Sequence, residues 1–216
     1  FKSNEYRELL GGWIFEPIEE NPMIAWRGAS RYMDDKFRPA FEMELEAMRS
    51  VKEEFGLDNL QLMVPFCRTP EEGGMVTELL NEKGIGPDSG TDLFVMVELP
   101  SNVIEADRFI EMMGLSGGSI GSNDLVQTVY AVSRDDLEGY QNPIDARSPS
   151  VKSMIRQIVE KFNSRGLEIG ICGQAPSDFP DEFPPFLIDC GITSISVTPD
   201  TAVAVRATVA EAERKS

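Results

Sequence analysis

The sequence of 216 residues contains no histidine, which excludes imidazole as a base, a nucleophile or a metal ligand. It has only three cysteines, Cys67, Cys172 and Cys190, an odd number without the spacing of zinc ligands. This pattern argues against a disulfide framework or a zinc site and favours a reducing cytoplasm.

Basic residues are also scarce, with 20 Lys and Arg against 37 Asp and Glu and a formal net charge of −17. Because a phosphate backbone is held by clustered Lys and Arg, this balance argues against a nucleic-acid partner. Long apolar runs are missing too, since no uncharged stretch approaches the roughly 18 residues that a membrane helix needs. We therefore expect a soluble protein with no membrane partner.

The apolar residues that are present, 41% of the total, are enough to bury one full core, and we expect a single domain over residues 1–216. Apolar, β-rich runs alternate with stretches of helical periodicity, which predicts βαβ units and an α/β fold with a parallel sheet. The predicted strands are residues 23–29, 60–66, 93–99, 117–122, 168–173 and 194–198. The predicted helices are residues 37–55, 70–82, 102–113 and 150–165.

Residues typical of helix ends lie near the boundaries of the predicted helices. Gly56 and Gly166 follow predicted helices as C′ glycines, and Ser101 and Ser150 are the expected N-caps. Residues 141–149, with two prolines, are predicted to form a long connection. A closed (β/α)8 TIM-type barrel needs eight strands and six are found, while the chain opens at Phe1 without a Met. We expect an incomplete barrel that lacks its first two strands, with an open seam that favours self-association.

Two acidic motifs follow predicted strands: Val-Glu-Leu-Pro at residues 97–100 and Gly-Ser-Asn-Asp at residues 121–124. Each places a carboxylate, Glu98 or Asp124, at a strand's C-terminal end, where βα proteins keep their chemistry. Mg²⁺ prefers such oxygen ligands, so the pair predicts a divalent-metal site for a small oxyacid. The alternative is a surface charge at Glu98 and a helix N-cap at Asp124.

Two further residues are candidates for the same edge of the sheet. Arg27 precedes Gly28 at the end of an apolar run, where its guanidinium suits phosphate or carboxylate; the alternative is an exposed salt bridge. Cys172 ends another apolar run, and its thiol is either a packing group or an acid–base tuned toward neutral pH.

Ordered motifs along nearly the whole chain resemble the C-terminal PEP/pyruvate-binding barrel of the phosphoenolpyruvate synthase family, one of the PEP-utilising enzymes. The motifs that carry the resemblance are residues 1–6, 20–23, 26–32, 63–66, 98–102, 119–125 and 170–174. Val126 and Ser133 depart from the family pattern, in which Thr and an acidic residue are common.

The resemblance implies a Mg²⁺-dependent transfer of a phosphoryl group between a phosphohistidine and pyruvate enolate, which forms PEP. It implies Glu98 and Asp124 as ligands of Mg²⁺ (Mn²⁺ being possible) and Arg27 as the group that binds the transferring phosphoryl. It further implies Cys172 as the proton donor, and substrate contacts from Gly121, Ser122, Asn123, Glu98, Asp124 and Arg27. The swivelling phosphohistidine domain and the ATP-binding domain of the family lie outside this chain, which alone is expected to be inactive in the full reaction.

Two other functions remain open at this point. One is a Mg²⁺-dependent carbon–carbon lyase of the related barrel group, which also positions a metal and an enolate. The other is a non-catalytic module that binds pyruvate or PEP.

Overall fold

The computed structural model describes residues 2–132 and 144–215. Over this part of the chain, strands and helices alternate as the sequence predicts. The strands are β1 (Gln61–Val64), β2 (Asp92–Val97), β3 (Gly117–Gly121), β4 (Glu168–Cys172) and β5 (Ser194–Ile195). The helices are α1 (Ser3–Arg7), α2 (Gly12–Phe15), α3 (Ala29–Met33), α4 (Arg38–Glu53), α5 (Pro70–Glu82), α6 (Pro100–Ile104), α7 (Ala106–Met113), α8 (Ser122–Tyr130), α9 (Pro149–Ser164), α10 (Ala175–Asp178), α11 (Phe183–Cys190) and α12 (Ala202–Glu213), with a 3-10 turn at Pro87–Ser89.

The sheet is entirely parallel, and its strands lie side by side in chain order from β1 to β5. Within the described residues, β1 and β5 are its two edges. Helical connections between successive parallel strands produce the layout of a (β/α)8 barrel that does not close. The predicted fold class is therefore confirmed.

The core lies between the sheet and the surrounding helices. Alternate residues of each strand point outward into this core, such as Leu93, Val95 and Val97 of β2, which are all buried. A glycine lets one helix come close to the sheet, because a Cβ added at Gly118 would lie 3.0 Å from the ring of Phe162 on α9. The helices therefore pack against the outer face of the sheet.

The predicted strand at residues 23–29 is wrong. This segment is irregular, with tight turns and a Gly28 φ of +63°, a backbone conformation that a strand does not use. Among the described residues, a single backbone–backbone hydrogen bond, from the Ala29 N–H to the Pro65 carbonyl at 3.2 Å, links it to the end of β1. A short apolar run predicts burial, but periodicity alone does not distinguish a buried loop from a buried strand.

The predicted helix ends are partly confirmed. Gly166 follows the C-cap Arg165 and has a φ of +69°, as a C′ glycine requires, whereas Gly56, with a φ of +66°, lies one position beyond C′ because the C-cap of α4 is Glu54. The predicted helix 102–113 is instead two short helices, α6 and α7, divided at Glu105. The N-caps are Leu99 and Ser148 rather than Ser101 and Ser150, because Pro100 and Pro149 occupy the first helical turn. In the predicted loop 141–149, residues 141–143 lie outside the described residues, as does Ser133.

The expectation of a single domain over the whole chain stays a prediction. Large apolar side chains are exposed on and beside α2, including Leu10, Trp13 and Phe15, and the inward-facing Met63 of edge strand β1 is 45% exposed. Self-association through such surfaces also stays a prediction. No helix in the described part of the chain combines the length and the apolar character needed to span a bilayer.

Candidate functional site

The C-terminal ends of the parallel strands gather the predicted residues at one edge of the sheet. Glu98 directly follows β2, Asp124 lies in the first turn of α8 after β3, and Cys172 ends β4. Arg27 reaches the same place from the irregular loop before α3, 97 positions from its partner Asp124. The structure thus brings together residues that are far apart in the sequence.

Glu98 is held rigidly in this edge. Its side chain is buried, and its Oε1 accepts a hydrogen bond from the Phe66 N–H at 3.0 Å. Its own N–H donates to Oδ1 of Asn102 at 3.1 Å, while the Asn102 amide donates to the Cys67 carbonyl at 2.8 Å. The carboxylate is therefore fixed by contacts to the ends of β1 and α6 before any ligand binds.

Asp124 forms a buried, two-pronged ion pair with Arg27. The Nη1 and Nη2 atoms of Arg27 lie 3.0 Å and 3.3 Å from Oδ1 and Oδ2 of Asp124. The same guanidinium lies 4.0 Å over the ring of Phe66 and also donates to the Met23 carbonyl at 3.0 Å. Such a paired, stacked guanidinium has a fixed orientation toward the carboxylates.

Glu98 and Asp124 are close enough for their carboxyl groups to hydrogen-bond. Burial raises the pKa of Glu98 most, and the hydrogen bond and negative charge of Asp124 add to this, so that the pKa reaches about 7. The Phe66 N–H and the charge of Arg27 oppose this change. Two buried carboxyl groups beside one guanidinium, which pairs with Asp124, have an excess of negative charge that a proton or a metal cation can neutralise.

This arrangement predicts a stability that depends on pH in metal-free protein. Between the ordinary pKa of 4.5 and the folded-state pKa of about 7, folded Glu98 holds a proton that the unfolded chain has released. The contribution of Glu98 to the free energy of unfolding is therefore largest at low pH and is lost as the pH rises toward 7. Urea titrations in EDTA at pH 5 and pH 8 measure the free energy of unfolding. This free energy should fall more from pH 5 to pH 8 for the parent than for Glu98→Gln, whose side chain stays neutral. Equal falls in both would contradict the prediction.

Gly121 makes room for the acidic pair. A Cβ added there would lie 2.8 Å from Cγ of Glu98 and 2.9 Å from Cε of Met96, so any larger residue would displace the carboxylate. Gly121 is also the register partner of Cys172 in the adjacent strand. The missing side chain at Gly121 therefore leaves the space that the Glu98 and Met96 side chains occupy.

The first turn of α8 is tied to the loop that leaves β4. The Ser122 hydroxyl donates to the Cys172 carbonyl at 3.1 Å, and Oδ1 of Asn123 accepts from the Gln174 N–H at 3.4 Å. Gly173 between them has a φ of +109°, which favours glycine. Ser122, Asn123 and Asp124 are thus the first three residues of a helix whose N-terminus points along the same edge.

Cys172 is half-buried at the end of β4, beside Gly121 of the adjacent strand. Burial raises the pKa of the thiol, and the charges of Glu98 and Asp124 raise it too, while a hydrogen bond with Ser119 lowers it. The group is therefore a protonated thiol at neutral pH. A protonated thiol is suited to donate a proton rather than to act as a standing nucleophile.

The site fits a hard divalent cation shared with a ligand. The described residues contain no group of three or more Cys, Asp or Glu side chains that could enclose a metal ion by themselves. Mg²⁺ does not need such a cage, because it is commonly held by one or two carboxylates with water and substrate oxygens in the other positions. Glu98 and Asp124 supply that minimal donor set.

Four residues of this edge were not predicted as functional from the sequence. They are Phe66, Arg68, Asn102 and Thr128. The Thr128 hydroxyl lies 2.9 Å from each of the Glu98 and Asp124 carbonyl oxygens, as their donor. Phe66 and Arg68 lie in the segment that follows β1, so the rule that points to Glu98 and Asp124 also points to them. Their contacts with residues 23–30 are not predictable from the sequence, because the pattern of residues 23–29 predicts a strand.

Comparison with known proteins gives a family. A family model described as "PEP-utilising enzyme, PEP-binding domain" matches residues 4–214. Phosphoenolpyruvate synthase of Aquifex aeolicus is 48% identical over 216 residues, which is 100% of this chain and 25% of that protein. Phosphoenolpyruvate synthase of Escherichia coli is 40% identical over 216 residues, 99% of this chain and 27% of that protein. The chain spans about a quarter of the length of these relatives.

Solved structures support the fold. Malate synthase of Haloferax volcanii, in a complex with pyruvate and acetyl-CoA, superposes with a TM-score of 0.59 at 12% identity, over 82% of this chain and 48% of that one. At this identity the likeness concerns the fold alone. From the family match over residues 4–214, the chain belongs to the PEP-binding domain family of PEP-utilising enzymes.

Proposed function

We propose that this chain is the catalytic PEP/pyruvate-binding domain of a phosphoenolpyruvate synthase. In this reaction a phosphoryl group moves from a phosphohistidine to the enolate oxygen of pyruvate, and PEP is formed. The observation that carries the proposal is the contact between two buried carboxyl groups, Glu98 and Asp124, beside the guanidinium of Arg27. The identity of 40–48% with proteins named phosphoenolpyruvate synthase supports it.

Glu98 and Asp124 would hold Mg²⁺, with Mn²⁺ as the other candidate. The ion would neutralise the charge of the pyruvate carboxylate and of the enolate oxygen. The two side chains are prepared for this task because backbone and arginine contacts already fix both of them. Release of the proton associated with Glu98 would accompany metal binding.

Arg27 would bind the transferring phosphoryl group. Its five N–H donors and permanent charge suit phosphoryl oxygens, and its stacking on Phe66 fixes the plane of the guanidinium. Gly121, Ser122 and Asn123 would hold the remainder of the substrate with an open backbone and short polar groups. Arg27 thus stabilises the moving charge, while the α8 turn positions the carbon skeleton.

Cys172 would carry the proton at the methyl carbon. In the direction of pyruvate release, the C–H bond forms as the Cys172 S–H proton moves to C3 of the enolate. In the direction of PEP formation, the thiolate takes that proton back. The raised pKa of the thiol favours its protonated form at neutral pH, which suits the donating step.

The remaining steps need groups that this chain does not contain. Its sequence has no histidine, so the phosphohistidine would lie on a swivelling domain and ATP would bind on another domain of the same protein. The relatives named phosphoenolpyruvate synthase are about four times as long as this chain, which is enough for both further domains. A cytoplasmic location follows from the three free thiols as part of this proposal. The lyase and the non-catalytic module are less favoured, because the relatives with high identity are named synthases.

Oxalate, a stable mimic of the pyruvate enolate, tests the proposal. We expect calorimetry to give binding of oxalate in the presence of Mg²⁺, and at least about tenfold weaker binding with EDTA, because the ion would neutralise the repulsion between oxalate and the carboxylates of Glu98 and Asp124. Acetate, which cannot chelate, is the matched control. Equal oxalate affinity with and without Mg²⁺ would contradict the proposed function.

A further inference from the structure

The loop that carries Arg27 is held by a side chain rather than by a strand. Arg68 donates from Nη1 to the Arg27 carbonyl at 3.3 Å and to the Ser30 hydroxyl at 2.8 Å. Its Nη2 donates to the Ile24 carbonyl at 3.0 Å and also to the Ala25 carbonyl. One guanidinium therefore satisfies carbonyls that a neighbouring strand would otherwise pair with.

Arg68 is also joined to the acidic pair through Phe66. The Arg68 guanidinium lies 5.0 Å from the Phe66 ring centroid, and that of Arg27 lies 4.0 Å from it. Phe66 has a φ of +45°, an uncommon conformation for a bulky residue, and its N–H donates to Glu98. The structure around it therefore keeps the ring in a conformation that an unconstrained chain would avoid.

The charge of Arg68 is balanced locally. The Nη1 atom of Arg68 lies 3.9 Å from Oε1 of Glu72, and the backbone N–H of Arg68 donates to Oε2 of Glu72 at 2.6 Å. Its donors are directed at the loop carbonyls, whereas those of Arg27 are directed at Asp124. The two arginines on the Phe66 ring therefore have different tasks.

We propose that Arg68 is a positioning residue, which anchors loop 23–30 and so sets the Arg27 guanidinium against Asp124 and the phosphoryl position. This inference rests on the proposed function, in which Arg27 binds the phosphoryl group. Lysine at this position would keep the charge, but its single ammonium does not match four acceptors spread over the loop.

The first test needs no ligand. Trp26 belongs to the same loop, so in a Trp13→Phe background the quenching of its fluorescence by acrylamide reports how tightly the loop is held. We expect Arg68→Gln to raise the quenching constant at least about twofold, and Arg68→Lys to raise it less. Arg156→Gln is the matched control. Arg156 also pairs with a carboxylate, that of Asp189, and lies over an aromatic ring, but it belongs to α9, and neither of these contacts involves the loop of Trp26. Equal quenching in Arg68→Gln and the control would overturn the anchoring role.

The second test asks whether Arg68 acts through Arg27. With Mg²⁺ present, we expect Arg68→Gln to weaken PEP binding by about tenfold and oxalate binding by less than about twofold, because only PEP carries a phosphoryl group. In an Arg27→Ala background, the same Arg68→Gln substitution should change PEP affinity by less than about twofold. Equal losses in both backgrounds would overturn the proposal. If the parent binds no PEP, the proposed function fails, and the quenching comparison still decides whether Arg68 anchors the loop.

Discussion

Glu98→Gln and Asp124→Asn should each lower Mg²⁺-dependent oxalate affinity by about 100-fold or more. Both substitutions keep the size of the side chain and remove one negative charge from the site. Under the proposed function Glu98 and Asp124 would hold Mg²⁺ together, so each variant would leave the ion with one carboxylate. Calorimetry with oxalate and Mg²⁺ measures the loss.

Asp92→Asn is a matched control for this prediction. Asp92 begins the strand that Glu98 follows, so it lies at the opposite end of β2, where it accepts hydrogen bonds from Ser116 and Gln61. We expect its oxalate affinity to stay within about twofold of the parent. Unchanged oxalate affinity in both Glu98→Gln and Asp124→Asn would remove the metal assignment.

The predictable part of this site follows from one rule of parallel sheets. Residues that directly follow successive strands share one edge, so Glu98, Asp124 and Cys172 could be placed together from apolar runs alone. Five of the six predicted strands are present, and each ends near its predicted position. Chemistry concentrated at strand ends is therefore visible in the sequence wherever the strands themselves are visible.

The part that was not predictable depends on contacts between distant side chains. The Arg27–Asp124 pair spans 97 positions, and the Arg68 contacts with loop 23–30 span about 40. An apolar run whose carbonyls are satisfied by a guanidinium has the same composition as one that pairs in a sheet. The predicted strand at residues 23–29 failed for this reason, because periodicity reports burial and not the identity of the hydrogen-bond partner.

If the proposed function holds, substitution of Cys172 in the full-length protein should affect proton transfer and leave the ATP half-reaction intact. We expect Cys172→Ala to slow exchange of the pyruvate methyl protons with solvent by about 10²–10⁴-fold, the usual worth of a general acid–base. Net PEP formation should fall with it. Cys172→Ser should behave similarly, since a hydroxyl is a far weaker acid than a thiol. Under the proposed function, phosphorylation of the histidine by ATP should persist, because that half-reaction would take place on other domains of the full-length protein.

Two comparisons make this result specific to the Cys172 thiol. Cys190→Ala removes another half-buried thiol, at the end of α11, and should leave exchange at the parent rate. Arg27→Ala should keep part of the exchange and lose phosphoryl transfer, because it removes the cation that is proposed to stabilise the moving phosphoryl group. Deuterium uptake from D₂O into pyruvate, followed by NMR, measures the exchange. If Cys172→Ala exchanged methyl protons as fast as the parent, the thiol would be a packing group, and the proton would have to come from another side chain at this edge.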